Sequence, residues 1–393
     1  MRNYKIIILL SYISIASGSA VIINPALPYI STQMSLSSGQ VEWLVSIFLI
    51  GYVSGQVIYG PIAKKYGEVT TLRIGLLINL VGIVICIFGG YLLSMPVLLI
   101  GRLITALGAS AGLICTFIIL NHSVDHHKAK VALSFAGISF TLSAISAIFI
   151  GGMINYYSHW NYCFYVLLIQ GVIMLGLSFL YQNSEQEEKS SISISSIVKG
   201  YRDALSSVKL VIFSLTLGTV ATFSYCYTAA GPFITKQLFN FTSAQFGLYN
   251  IITMVGILAG SFISAKVVNL FNPIKILIIS LATFLLTFFL LLCIREIGIL
   301  SALMFFIAAA FMYFTLGFIY PVASHIASNA IADKANAAGA TNFINMGLAV
   351  IAVSIMGYLP FEYFLRLVVM SCIFPIVCIV LIITFNKFSY QKV

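Results

Sequence analysis

Charged side chains are scarce in this sequence. Only 8% of its 393 residues are Asp, Glu, Lys or Arg, whereas 61% are hydrophobic. A water-soluble domain carries about a quarter charged residues, so the composition excludes a chain that faces mainly water. Apolar runs of about 20 residues recur along the whole length, and a run of that length crosses a bilayer as a helix. Because lipid cannot hydrogen-bond to the backbone, helices are the expected spans. The sequence therefore predicts an integral membrane protein.

Motifs of common catalytic and cofactor sites are also missing. The sequence contains no GxxxxGK[ST] phosphate loop and no HExxH, and its GxSxG match, Gly108–Gly112 (GASAG), lies within an apolar span and not at a strand-to-helix turn. Its seven cysteines fall inside apolar runs without a CxxC pair, and no Cys/His group has the spacing of a metal site. The net charge is +10, but the basic residues are scattered between spans, which argues against a nucleic-acid partner. We expect no enzyme activity, no cofactor and no metal. An intramembrane enzyme and a receptor that transports nothing stay open as alternatives.

One long polar stretch, Gln182 to Ser207, divides the chain. It predicts an N-terminal six-helix bundle (1–181), a cytoplasmic linker (182–207) and a C-terminal six-helix bundle (208–393). Within it, Ser196 to Lys209 can form a short amphipathic helix on the inner membrane surface. The twelve expected spans are centred near Ser14, Tyr52, Gly82, Gly108, Thr141, Gly171, Leu217, Val255, Leu285, Ala309, Leu348 and Ile373.

Lysine and arginine predict the orientation, because short cytoplasmic loops are enriched in both. With a cytoplasmic N-terminus, sixteen of the twenty basic residues lie in inside segments. Only Lys236, Arg295 and Arg366 lie outside, and Arg102 falls within a span. We therefore expect a multi-pass protein of the cell membrane with both termini in the cytoplasm. If the source is a bacterium, this membrane is the inner membrane.

Several short stretches resemble the signatures of one transporter family. Asn24–Pro28 (NPALP) resembles the element that closes the first span, and Gly60–Glu68 (GPIAKKYGE) the loop between the second and third spans. Gly101–Gly112 resembles the fourth-span signature of an arginine followed by small residues. Further matching stretches are His159–Phe164, Ala230–Phe233, Gln245–Leu248 and Leu316–Pro321.

Together these stretches resemble the major facilitator superfamily, and within it the drug:proton antiporters of the bicyclomycin-resistance type. The resemblance implies an all-α fold of twelve transmembrane helices in two six-helix pseudo-repeats. It also implies alternating access, with a substrate site near the bilayer midplane between the two halves.

The sequence departs from that family at features tied to proton exchange and gating. Val21 stands where the family has an acid in the first span, and Ala147–Gly152 lacks the glycine-proline pair of the fifth-span antiporter signature. In the loop signature the acid is replaced by Lys64 and the second base by Glu68. With these departures, the resemblance supports the fold more firmly than the antiport mechanism.

Two charged residues are the candidates for coupling. Arg102 lies deep in a span, where a charge is costly and must face a cavity or a partner. The resemblance implies a role in proton relay or in contact with a substrate anion; the alternative is a structural arginine bound to backbone carbonyls. Glu42 is the candidate protonatable carboxylate if burial raises its pKa. Its alternative role is an interfacial charge beside Trp43.

The cytoplasmic loop supplies the gating candidates. Gly60 and Gly67 should permit close approach and tight turning. Lys64 or Lys65 is expected to pair with Asp333, which lies just before the eleventh span and carries the opposite charge.

The resemblance places the substrate site among spans one, four, seven and ten, with span eleven. Aromatic faces with few hydrogen-bonding groups suit amphipathic molecules of drug size. The candidate lining residues are Tyr12, Asn24, Thr116, Asn121, Tyr225, Tyr227, Thr228, Tyr313, Tyr320, Asn342 and Asn345.

From this reading we expect a monomeric secondary transporter of small organic molecules. The first expectation is a multidrug or metabolite exporter that uses the proton gradient. The alternative is an importer or facilitator of a polar nutrient such as an amino acid, with Arg102 holding its carboxylate.

Overall fold

A computed structural model describes residues 3–123, 136–183, 194–268 and 270–390. These residues form α-helices joined by short turns, with one 3-10 turn (Asn24–Ala26) and no strand among them. In chain order the first helices are α1 (Asn3–Ser11), α2 (Ile13–Val21), α3 (Leu27–Gln33), α4 (Ser38–Tyr66), α5 (Glu68–Tyr91), α6 (Met95–Ser123), α7 (Ala136–Tyr157) and α8 (Tyr162–Ser178). The others are α9 (Ile194–Leu205), α10 (Val208–Phe239), α11 (Ser243–Tyr249), α12 (Ile251–Val267), α13 (Pro273–Glu296), α14 (Ala302–Ser328), α15 (Lys334–Met356) and α16 (Tyr363–Tyr390).

Most of these helices are long enough to cross a bilayer. In the described part of the chain, 11 helical stretches have the length and apolar composition of a membrane span. The apolar α8 has 17 residues, about 26 Å at 1.5 Å per residue, slightly less than the hydrocarbon thickness of about 30 Å. The all-α membrane fold is thus confirmed, and the twelve expected spans correspond to eleven long helices and one shorter one.

The first span differs from the sequence expectation. NPALP does not close it, because helical structure continues to Gln33. Pro25 and Pro28 each occupy an early position of the next helical segment, where a missing N–H breaks no intrahelical hydrogen bond. The prolines therefore divide the span into successive helical pieces without ending it.

The chain separates into two compact units. Unit 1 contains residues 1–193 together with 242–248, and unit 2 contains 194–241 and 249–393. The bundle and linker boundaries expected from the sequence stay predictions.

Small residues bring α5 and α6 of unit 1 into close contact. A methyl group added at Gly82 would collide with Thr105, and one at Gly108 would collide with Asn79. The Asn79 side-chain amide donates to the carbonyl of Thr105 (2.8 Å). Close backbone approach and an interhelical hydrogen bond are the usual means of helix association in lipid.

Unit 2 is organised around α10, which packs on α14, α15 and α16. The hydroxyl of Ser214 on α10 donates to that of Thr341 on α15 (3.0 Å). Between α12 and α14, a methyl group at Gly317 would lie 2.7 Å from the carbonyl carbon of Gly260. These contacts fix the helices on which the unit 2 site candidates lie.

The linker does contain an amphipathic helix, α9, but it begins at Ile194 and ends at Leu205. Its buried Ala204 packs with Ala337 and Ala340 at the start of α15, and Tyr201 covers the same cluster. The expectation of a helix lying on the membrane surface is incomplete, because part of its apolar face is buried against protein.

Candidate functional site

Arg102 is fully buried in unit 1 and is bound to backbone carbonyl groups. Its Nε donates to the carbonyl of Leu44 (3.0 Å) and its Nη2 to that of Ala20 (3.0 Å), while Nη1 donates to the carbonyl of Ser19. The guanidinium carbon lies 4.3 Å from the centre of the Phe48 ring. Arg102 on α6 thus joins α2 and α4, and three of its five N–H groups are used. Its expected coupling role stays a prediction.

Glu42 is also buried, with 1% of its surface exposed. Glu42 precedes Leu44, a carbonyl partner of Arg102, by two residues on α4. Arg102, Glu42 and Glu68 are the buried charged side chains of the described part of the chain, and all three belong to unit 1. The coupling role of Glu42 and its alternative, an interfacial charge beside Trp43, both stay predictions.

The site candidates of the first and fourth spans differ in whether their hydrogen-bonding groups already have a partner. The Tyr12 hydroxyl donates to the carbonyl of Met174 (2.8 Å), and the Thr116 hydroxyl donates to that of Leu9 (3.0 Å). Asn24 is fully buried, and neither atom of its amide has a hydrogen-bond partner among the described residues. Asn121 lies in α6, but its side chain is outside the described part. Of these four, Asn24 has the free hydrogen-bonding capacity that a substrate or water can use.

Two tyrosine candidates of unit 2, Tyr227 and Tyr313, lie in one aromatic cluster. Tyr227 lies between Phe223 and Phe305, with ring centroids at 5.6 and 6.1 Å. The Tyr313 ring is 5.8 Å from Tyr227. Tyr225 lies on the same helix as Tyr227 and is 6% exposed, whereas Tyr227 is only 1% exposed. The structure brings Tyr227 and Tyr313 together mostly as a packed aromatic core.

The other unit 2 candidates are more varied. The Thr228 hydroxyl donates to the carbonyl of Tyr225 in its own helix (3.2 Å). Asn342 is half-buried, and Asn345 is 4% exposed with an amide oxygen that accepts no hydrogen bond within the described ranges. Tyr320 is 51% exposed. Asn345 therefore resembles Asn24 of unit 1, because both are buried amides with a polar atom that makes no hydrogen bond within the described residues.

The gating loop is shorter than its sequence suggested. Helix α4 continues through Gly60 to Tyr66, and Gly67 alone separates it from α5. Gly67 has φ +89°, a value that favours glycine. The close approach expected at Gly60 is wrong, since a methyl group there would meet no described atom within 4 Å.

The charged residues that the sequence analysis proposed for gating lie at or beside helix ends. Lys64 and Lys65 are exposed in the last turn of α4. Asp333 directly precedes α15, and its Oδ1 accepts from the backbone N–H of Asn336 in the first turn (3.0 Å). The pairing of a lysine with Asp333 stays a prediction.

Sequence reasoning missed two residues beside this turn. Glu68 is 1% exposed, a burial that the loop signature did not indicate. Asn183, at the start of the polar stretch, bonds to the first turn of α5. No local pattern indicates the second contact, because more than a hundred residues separate its partners.

Curated relatives match part of the chain at low identity. An uncharacterised MFS-type transporter, YdgK of Bacillus subtilis, is 24% identical over 263 residues, which is 66% of this chain and 65% of that protein. The multidrug resistance protein MdtL of Salmonella paratyphi B is 23% identical over 268 residues, with the same two coverages. The chain thus spans 65% of the length of these relatives.

Solved structures match nearly the whole fold. A D-xylose–proton symporter has a TM-score of 0.74 at 15% identity, over 96% of this chain and 97% of that one. A bacterial homologue of the human lysosomal transporter Spinster has a TM-score of 0.72 at 13% identity, over 98% and 97%. At such identities the likeness shows the fold alone.

A family model described as Major Facilitator Superfamily matches residues 8–356. The family and the fold are those of transporters, not of enzymes. By this match over most of its length, the chain belongs to the Major Facilitator Superfamily.

Proposed function

We propose that this chain is a secondary transporter in a bacterial inner membrane that exports amphipathic organic molecules of drug or metabolite size. Family membership supports transport of a small-molecule solute by alternating access. The multidrug resistance protein among the relatives supports export of organic compounds. The cluster around Tyr227 supplies planar aromatic side chains, although they are buried in the structure, and aromatic side chains are those that line binding sites for such compounds.

The position of Arg102 supports export over the alternative. Uptake of an amino acid through Arg102 requires a guanidinium that can reach a carboxylate. Here the side chain is 0% exposed and donates to three backbone carbonyl groups. To bind a carboxylate it would have to leave these groups buried without donors, at a cost of about 1–3 kcal/mol each. The geometry favours substrates without an anionic group.

Proton coupling, in this proposal, uses Glu42. Its carboxyl group is buried on α4, away from water. Arg102 contributes indirectly, because its bond to the carbonyl of Leu44 holds the same part of α4 against α2. A protonation change at Glu42 is thereby transmitted to two helices.

A ligand screen on the purified full chain tests the substrate class. We expect aromatic organic compounds to raise the melting temperature in a concentration-dependent manner, because binding to the folded state stabilises it. Amino acids and other small carboxylates should leave it unchanged. Stabilisation by an amino acid, abolished by Arg102→Lys, would favour the nutrient transporter instead.

A further inference from the structure

The first turn of α5 lacks a cap from its own sequence. Gly67 is the N-cap residue and has no side chain to accept from the first backbone N–H groups of the helix. A capping residue such as Ser or Asp is not accommodated there, because φ is +89° and a Cβ would lie 2.5 Å from the side-chain amide carbon of Asn183. The N–H groups of this turn need a partner from elsewhere.

Asn183 supplies that partner. Its Oδ1 accepts from the backbone N–H of Val69 (2.8 Å) and of Thr70 (3.1 Å). Its Nδ2 donates to the Thr70 hydroxyl (2.8 Å). One side chain therefore performs the work of an N-cap from 113 and 114 residues away.

The segment that carries Asn183 is itself held in place. Arg73 of α5 donates to the carbonyls of Ser178 (3.2 Å) and Tyr181 (3.0 Å). Lys5 of α1 donates to the carbonyl of Leu180 (2.9 Å), and the Tyr181 hydroxyl donates back to the carbonyl of Lys5 (2.7 Å). Cations at the C-terminal end of α8 also match its helix dipole. The segment 178–183, at the end of α8, is thus hydrogen-bonded to both α1 and α5.

We propose that Asn183 is a positioning residue for the turn between α4 and α5, so that the chain segment that follows α8 sets the direction in which α4 ends. Because a single residue joins α4 to α5, the direction of the last turn of α4, with Lys64 and Lys65, depends on a formed first turn of α5. Loss of the contacts of Asn183 frees that turn. This role is separate from substrate binding.

Hydrogen–deuterium exchange on the full-length protein in lipid nanodiscs tests the proposal. Asn183→Ala should speed exchange in the peptide that contains Val69 and Thr70 about fivefold, the effect of losing a typical N-cap. The melting temperature should stay that of the wild type. Asn183→Asp should restore slow exchange, because a carboxylate also accepts from both N–H groups and favours a helix N-terminus.

Asn272 provides the matched control. It caps α13 within its own helix, with Oδ1 accepting from the N–H of Ile274 (2.9 Å). Asn272→Ala should speed exchange only at the start of α13. Unchanged exchange at Val69 and Thr70 in Asn183→Ala, or no rescue by Asn183→Asp, would overturn the proposal. Since no substrate is used, this outcome is independent of any failure to detect transport.

Thr70→Val provides a second variant if Asn183→Ala does not fold. It removes one contact, the bond from Nδ2 to the Thr70 hydroxyl, and should speed exchange of the same peptide by a smaller factor. Exchange of that peptide at the wild-type rate in Thr70→Val would contradict the proposal.

Discussion

Arg102 shows how a single side chain holds a membrane bundle together. Its guanidinium gives three otherwise orphaned carbonyl groups a donor and also packs on Phe48. Arg102→Ala should lower stability by several kcal/mol, since each buried carbonyl left without a donor costs about 1–3 kcal/mol. Arg102→Lys, with a compact ammonium instead of a planar fork, should recover only part of the loss. Thermal unfolding in detergent measures both.

Arg366 is the control for that substitution. It also donates to two backbone carbonyls, those of Phe361 (2.6 Å) and Gly357 (3.2 Å), but it is only half-buried. Water can replace its hydrogen bonds, so Arg366→Ala should cost much less. Equal losses for the two alanine variants would contradict the structural role of Arg102.

The second prediction for a single residue concerns Glu42. If its carboxyl group binds and releases the transported proton, Glu42→Gln removes the charge change while keeping the shape. Proton-driven accumulation of substrate should then be lost, whereas exchange of substrate across the membrane without a gradient should persist. The control is Glu296, at the end of α13, where the same substitution should leave both activities intact. Gradient-driven accumulation in Glu42→Gln would remove Glu42 from the coupling mechanism.

At the scale of helices, the contact between α5 and α6 depends on glycine. Gly101→Val should separate these helices, because even a methyl group there would lie 2.7 Å from the backbone nitrogen and the sulfur of Cys86. We expect a loss of folded protein in size-exclusion chromatography after detergent extraction. Gly60→Ala, in open surroundings on α4, should be neutral or slightly stabilising, as alanine favours helix. Similar yields for both variants would mean that the α5–α6 contact tolerates expansion.

The docking of α9 on α15 should depend on pH. Burial raises the pKa of the Tyr201 hydroxyl, which lies 2.8 Å from the position of a Cβ on Gly339. A raised pKa means that the docked state holds its proton more tightly, so docking is fully stable below the ordinary tyrosine pKa of about 10 and weakens above it.

Hydrogen exchange of α9 at increasing pH, corrected for the intrinsic rate, measures this effect. The wild-type helix should lose protection as pH rises past about 10. Tyr201→Phe should remove that dependence, since phenylalanine has no proton to release. The same pH response in both proteins would assign it to another group.

At the scale of the whole molecule, hydropathy predicted the membrane spans and the resemblance to the family implied the fold, but neither predicted the contacts of the site. Span positions follow from apolar runs, because each span satisfies its backbone locally, and the amphipathic pattern of α9 predicted a helix. The carbonyl partners of Arg102 and the cap from Asn183 were not predictable, since they join residues 58 to 114 positions apart. Burial of Glu42 and Glu68 likewise depends on neighbouring helices, which no local pattern describes.

Net flux of a substrate across a membrane is the most direct test of whether this protein is a transporter. The purified chain, reconstituted in liposomes with an inward-directed or outward-directed pH gradient, should move an aromatic organic compound against its concentration gradient in one direction of the pH gradient only. Protein-free liposomes measure passive leak of the same compound. We predict accumulation that collapses when a protonophore is added. Flux equal to passive leak for every compound tested, by a protein that remains folded, would contradict the transporter account.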